Sequence, residues 1–146
     1  MSNKNHLRLT KLALTTGFRR SELLNLTWRN IDLKKKIIYI NRKNCAAINN
    51  SSGLRLVPLP EKALKILEEL NERNGKVIEL SKGSARNGFD KARKKAGLET
   101  LRFHDLRHIA ISRMWSSGMN ALEISTCSGH RDIKMLMRYS HFQLSI

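Results

Sequence analysis

The stretch GHRDIKMLMRY, Gly129 to Tyr139, sets a histidine directly after a glycine and, nine residues later, a tyrosine beside Arg138. A phenol at such a place has two chemical readings: it packs as a core aromatic, or it reacts. An unperturbed tyrosine has a pKa of ~10, so only about one phenolate in a thousand exists at pH 7, and forming it costs roughly 4 kcal/mol. A reactive tyrosine therefore needs a base or a positive field nearby. The chain holds candidates for both. HDLRH spaces His104 and Arg107 three apart, on one face of a helical turn, with His108 pointing elsewhere. A phosphate would satisfy a buried arginine and its neighbouring histidine together; a salt bridge to Asp105 or Glu99 would serve as well, and the pair alone does not choose. Arg19 follows Gly17 at a helix start, where unpaired N–H groups already favour anions. Its plain alternative is a surface pair with Glu22.

Charge narrows the partner. Lys and Arg number 28 against 12 acids, a net +16 on 146 residues. That excess exceeds what solubility needs and points to a polyanion, most simply nucleic acid. A membrane surface is the rival, but no apolar run approaches the ~18 residues of a span, and MSNKNHLRLTKLALTTGFRR does not read as a signal peptide. Cys45 and Cys127 form no metal-type pair, so a reduced, cytoplasmic setting is expected. No carboxylate cluster has metal-ligand spacing, which argues against a two-metal nuclease. The basic residues are spread, with clusters at Lys34–Lys36 and Lys91–Lys95. Each cluster alone reads as solvated surface; the spread as a whole reads as a folded domain with a positive face.

These groups must be carried by something. HLRLTKLALTTG reads as a helix closed by Gly17, and RRSELLNLTW as a second one. Asn30-Ile31-Asp32 reads as a turn. KKIIYIN (35–41) and LRLVPL (54–59) read as two strands of a hairpin with a long tip, the second alternating Leu54, Leu56 (or Val57) and Leu59 around polar Arg55. Pro60-Glu61 opens a helix striped by Ala63, Ile66, Leu67 and Leu70 and ended by Gly75. Residues 84–96 form a basic helix closed by Gly97. HDLRHIAISRMWSSG is a helix with Leu106, Ile109, Ala110 and Met114 inward. Asn120 and Glu123 make a capping box for ALEISTCS, which Gly129 closes. Asp132 caps a last short helix that carries Tyr139 and is seated by Met135, Leu136 and Met137. The expected fold is mainly α with a small antiparallel β-sheet or hairpin, in one domain over 1–146.

In this order the motifs resemble the tyrosine recombinases, the phage integrase family. The matching text is TGFRRSELLNLTWRNID, the hairpin running into RLVPL, KKAGLETLRFHDLRH and SGHRDIKMLMRYSH, covering about Leu7 to His141. The resemblance places the family's two arginines on Arg19 and Arg107, its histidine on His104, its histidine-or-tryptophan position on His130 and its nucleophile on Tyr139. The family's hairpin lysine falls on Lys43, the only lysine between the first strand and Val57. This hairpin is longer than the common form, with Asn44 to Ser52 between Lys43 and Gly53. His108 reads as structural and Glu22 as a brace behind Arg19. Ser128, where the family usually has an apolar residue, and Ile109, where a threonine often stands, are expected to affect packing more than chemistry.

The resemblance implies a site-specific recombinase or integrase domain acting on double-stranded DNA, with no cofactor, metal or ATP. Tyr139 would attack a phosphodiester and become joined to the 3′ phosphate. His104 would take its proton, Arg19, Arg107 and His130 would bind the nonbridging oxygens, and Lys43 would protonate the departing 5′ oxygen. The family implies a tetramer of protomers on DNA, although this chain in isolation is expected as a monomer, without the family's N-terminal DNA-clamping domain. Two alternatives stand beside this: a noncatalytic DNA-binding or regulatory fragment of the same fold, and type IB topoisomerase-like strand cleavage.

Overall fold

Helix α1, Ser2–Thr16, turns Leu9, Leu12 and Ala13 into the core and leaves Leu7 in solvent. Its last turn closes on itself. The buried Thr16 hydroxyl donates to the Leu12 carbonyl at 2.6 Å and accepts the Phe18 N–H at 3.2 Å. Gly17 follows with φ +71°, a conformation that favours glycine, and Arg19 emerges at the head of helix α2, Arg20–Leu24. In a computed structural model, residues 2–41, 54–71, 73–130 and 132–138 are described. Lys43, Cys45, the hairpin tip and Tyr139 lie outside them.

Helix α2 is shorter than its sequence suggests. Beyond Leu24 the backbone is claimed by a distant segment: Val77 N–H donates to the Leu26 carbonyl at 3.1 Å and Trp28 N–H to the Gly75 carbonyl at 2.9 Å. Trp28–Asn30 is then a single 3-10 turn. The predicted turn at Ile31-Asp32 is instead strand β1, Ile31–Asp32, paired antiparallel with β2, Ile37–Asn41. Lys36 (φ +57°) makes the reversal, and Asp32 Oδ1 accepts the Lys35 N–H at 2.9 Å. Strand β3, Leu54–Pro58, pairs with β2 in the register Ile38↔Val57, completing a three-stranded sheet in the order β1-β2-β3. Of the two inward positions left open in β3, Leu56 or Val57, the fold takes Val57. Arg55, Val57 and Leu59 face inward, while Leu56 is 53% exposed.

The remaining helices pack this sheet against α1. Helix α3, Glu61–Glu68, buries Ala63, Leu64 and Leu67; Pro60 caps it from outside, and it ends before Gly75. Helix α4, Lys82–Lys95, starts where the Ser81 hydroxyl accepts the Ser84 N–H at 3.1 Å and ends in Arg93-Lys94-Lys95, a cationic last turn that suits the carbonyl end of a helix. Helix α5, Phe103–Ser116, begins where Asp105 Oδ2 accepts the Arg102 N–H at 2.8 Å. Its buried side is Leu106, Arg107, Ala110, Ile111, Met114 and Trp115. Ile109, expected inward, is exposed, because Ala110 and Ile111 take the core-facing positions. Helix α6, Ala121–Ser128, has the predicted reciprocal cap, Asn120 with Glu123, both bonds at 2.9 Å. Helix α7, Ile133–Met137, is capped by Asp132, whose Oδ1 accepts the Lys134 N–H at 2.9 Å. Leu136 alone of the expected seating trio is fully buried; Met135 and Met137 are about half exposed, since a helix this short has one inward position per turn. The fold is mainly helical with one small antiparallel sheet, and among the described residues no helix is long and apolar enough to cross a membrane.

Candidate phosphodiester site

Arg107 is the centre of the site. A guanidinium in the α5 core face must find acceptors, because an unpaired buried charge is strongly destabilising. It is 3% exposed, and Nη1 donates to the Gly17 carbonyl at 2.9 Å. The left-handed turn that ends α1 therefore aims a carbonyl at Arg107 as well as launching Arg19. Nη2 of Arg107 lies 3.3 Å from Nδ1 and 3.5 Å from Nε2 of His130. Phe18, Arg19, Arg20, Phe103, His104 and Arg107 line one open cleft of about 250 Å³. A larger hollow of about 370 Å³ at Trp28, Arg29, Asp32, Tyr39 and Arg73 contains none of the predicted residues.

Four of the six predicted residues are thus brought together: Arg19, His104 and Arg107 in the cleft, and His130 against Arg107. Lys43 and Tyr139 are outside the described residues. Helix α7 and its C-cap Arg138 end immediately before Tyr139 in the chain. The surface alternative for Arg19 survives only weakly. Its Nη1 stands 3.9 Å from Glu22 Oε1 with the side chain 46% exposed, and Glu22 is bound more closely by Arg55, Nη1 to Oε2 at 2.9 Å. The Asp105 alternative is drained in a similar way, because Asp105 caps α5 and pairs with Arg102.

Burial and neighbouring charges favour the neutral form of His104, His108 and His130. Burial, then the charges of Arg107, Arg19, Arg138 and His108, push His130 down from 6.5 to about 4. His104 is also lowered, first by burial, then by His108, Arg107 and Arg19, against an opposing pull from Asp105. The His108 ring meets that of His104 edge-on, centroids 4.8 Å apart. A neutral His104 at pH 7 is a proton acceptor, and one in a field of arginines is suited to take a proton as negative charge arrives.

Sequence reasoning missed two residues here. Ser128, expected to affect packing more than chemistry, is fully buried with its hydroxyl 2.7 Å from His130 Nδ1. The same oxygen accepts the His130 N–H at 3.4 Å, so Ser128 holds both the backbone and the ring of His130; in the tautomer where its hydroxyl donates to Nδ1, the ring proton sits on Nε2 and can be donated to an anion. Ser128→Ala should fold normally and slow strand cleavage roughly tenfold, as loss of a histidine's orienting partner does; single-turnover rates with matched melting curves check it. Arg55, marked in the sequence only as a polar residue within the strand, is 4% exposed. Its signal was its period-two phase with Val57 and Leu59.

Low pH should weaken the fold. Above about 6.5 His130 is neutral in both folded and unfolded chains. Between 6.5 and about 4 the unfolded chain binds a proton that the folded site refuses, so stability falls as pH drops through that window. Melting temperature should decline from pH 7 to pH 4.5, and less steeply in His130→Asn. Among the described residues no three His, Cys, Asp or Glu side chains gather as metal ligands would.

Comparison with known proteins identifies the family. The Escherichia coli shufflon-specific DNA recombinase is 37% identical over 134 residues, covering 90% of this chain and 33% of that protein. The integrase of Salmonella phage P22 is 28% identical over 148 residues, covering 91% and 38%. The chain thus spans about a third of the length of these curated relatives. The catalytic domain of bacteriophage HP1 integrase superposes with a TM-score of 0.69 at 25% identity, over 93% of this chain and 74% of that one. The sequence model of the phage integrase family matches residues 2–145, and the chain belongs to that family.

Proposed function

We propose that this chain is the strand-transfer domain of a site-specific recombinase or integrase that cleaves and rejoins double-stranded DNA through Tyr139. The observation that carries the reading is the meeting of Arg107, from the middle of the chain, with the Gly17 turn that launches Arg19 and with His130 from beyond α6. Segments far apart in sequence put Arg19, His104 and Arg107 around one open cleft and His130 against Arg107, a set of cationic and imidazole groups suited to an anion of tetrahedral shape. The relatives named as recombinases and integrases support the same reading, as do solved relatives such as XerH bound to its difH substrate.

In this reading the Tyr139 oxygen attacks the scissile phosphorus and its proton passes to His104. The bond from phosphorus to the 5′ oxygen breaks, and that oxygen takes a proton from Lys43. The nonbridging oxygens, which gain charge as the phosphorus becomes five-coordinate, are gripped by the forked donors of Arg19 and Arg107 and by Nε2–H of His130. The 3′-phosphotyrosine keeps the energy of the broken linkage, so a 5′ hydroxyl reverses the step without ATP. A DNA duplex binds through the +16 charge, and further protomers complete the assembly on it. The compartment is the cytoplasm.

A nicked duplex tests this. With chelator present and no nucleotide, the chain should form a protein–DNA adduct and pass the strand to an added 5′-hydroxyl acceptor. Release of a free 3′ phosphate with no acceptor product would indicate a nuclease. Binding with no adduct would favour the noncatalytic module. Rejoining confined to the original strand would favour the topoisomerase-like alternative.

A further inference from the structure

Arg55 carries a charge that the proposed chemistry does not use. Strand β3 turns it inward, and its guanidinium joins three segments. Nη1 donates to Glu22 Oε2 at 2.9 Å, Nη2 donates to the Cys127 carbonyl at 3.3 Å, and the group lies 5.6 Å over the Phe18 ring centroid. It also fills the space beside Gly129, where a methyl group would collide with Nη1. Gly129 has φ +77° and directly precedes His130. One buried guanidinium therefore touches the segment that holds Arg19 and the turn that launches His130.

Glu22 is divided by this contact. Oε2 goes to Arg55, while Oε1 accepts the Arg19 backbone N–H at 2.9 Å and stays 3.9 Å from the Arg19 guanidinium. A buried, hydrogen-bonded arginine is a much stronger claimant on a carboxylate than an exposed one at that distance. Were Arg55 absent, the carboxylate would be free to close on Arg19 and neutralise it.

We infer that Arg55 is a positioning residue for the strand-transfer site, drawing Glu22 away from Arg19 so that this guanidinium stays open to a phosphate, and fixing the turn that aims His130. The inference rests on the reading of the cleft as a phosphodiester site.

The test uses the 146-residue chain as wild type, Arg55→Lys, Arg55→Met and the double variant Glu22→Gln/Arg55→Met, with a nicked duplex as probe. Binding at fixed salt and single-turnover cleavage at saturating DNA are measured beside melting curves and an NMR titration of the His130 ring. Arg55→Met should bind more weakly and cleave about tenfold to a hundredfold more slowly. The double variant removes the stranded carboxylate, so it should melt near wild type and recover binding, yet still cleave slowly because the turn is unheld. Arg55→Lys should keep binding, since its ammonium still engages Glu22, and cleave slowly, since it cannot span to Cys127. In the double variant the His130 ring, less enclosed, should titrate higher than in wild type. If Arg55→Met does not fold, the double and lysine variants decide. Double-variant binding far below wild type would overturn the role in freeing Arg19. Wild-type cleavage with an unmoved His130 titration would overturn the role at the turn. If wild type itself forms no adduct, the function reading fails, and the His130 titration still judges whether Arg55 holds the turn.

Discussion

Arg107→Ala should lower single-turnover cleavage of a nicked duplex by about 10² to 10³-fold. The guanidinium serves two ends. It reaches the cleft as an anion donor, and it pins the Gly17 carbonyl while crowding both nitrogens of His130. Truncation also strips a buried carbonyl of its donor, at about 1–3 kcal/mol, so rates must be compared below both melting transitions. Two further readouts separate chemistry from folding. Arg107→Lys keeps the charge but loses the fork that spans Gly17 and His130, so it should fold and remain much slower than wild type. Burial and, next to it, the Arg107 charge hold the His130 pKa down, so the His130 ring in folded Arg107→Ala, which lacks that charge, should titrate closer to 6.5, while Arg107→Lys should leave it low. A wild-type rate in Arg107→Lys would remove Arg107 from the reacting centre.

Tyr139→Phe has the larger expected effect, complete loss of the covalent adduct. The change deletes one oxygen from a side chain that follows the C-cap of α7. Affinity for duplex DNA should persist, because phosphate contacts from cationic side chains supply it. Binding without cleavage is the predicted pair of results, read on one denaturing gel and one mobility-shift titration.

The sequence exposes some parts of this architecture more readily than others. Helix ends are the clearest, because a cap is a local bond: Asn120 with Glu123 and Asp132 with Lys134 form as the residue types require. The left-handed turns at Gly17 and Gly129 are also readable. What fails is whatever a distant segment decides. Helix α2 stops early because residues 75–77 capture the backbone at Leu26 and Trp28, and nothing within RRSELLNLTW announces that. Strand β1 has two residues, too few to show a period. Leu56 and Val57 side by side leave the phase of β3 undecided, which hides Arg55. Ile109 and Met135 show the remaining ambiguity, an apolar residue one position off the buried stripe.

The site follows the same division. His104 and Arg107 share a helical turn and announce a common face, but their meeting with Arg19 and His130 is not a matter of spacing. Gly17 and Arg107 are 90 positions apart and Arg107 and His130 are 23. Only the order of whole motifs, matched to a known family, makes that convergence legible in advance. Ser128 falls outside any such pattern, because its role depends on the Gly129 turn folding the His130 ring back onto its hydroxyl.

The central claim is that one phosphate is held by these groups while Tyr139 attacks it. Trapping the adduct on a nicked duplex, digesting it and locating the modified residue by mass spectrometry tests that most directly. The account predicts a single nucleotide-bearing peptide with the phosphate on Tyr139, and none from Arg107→Ala under the same brief exposure. Attachment at any other side chain, or no attachment from wild-type protein that binds the duplex, would contradict it.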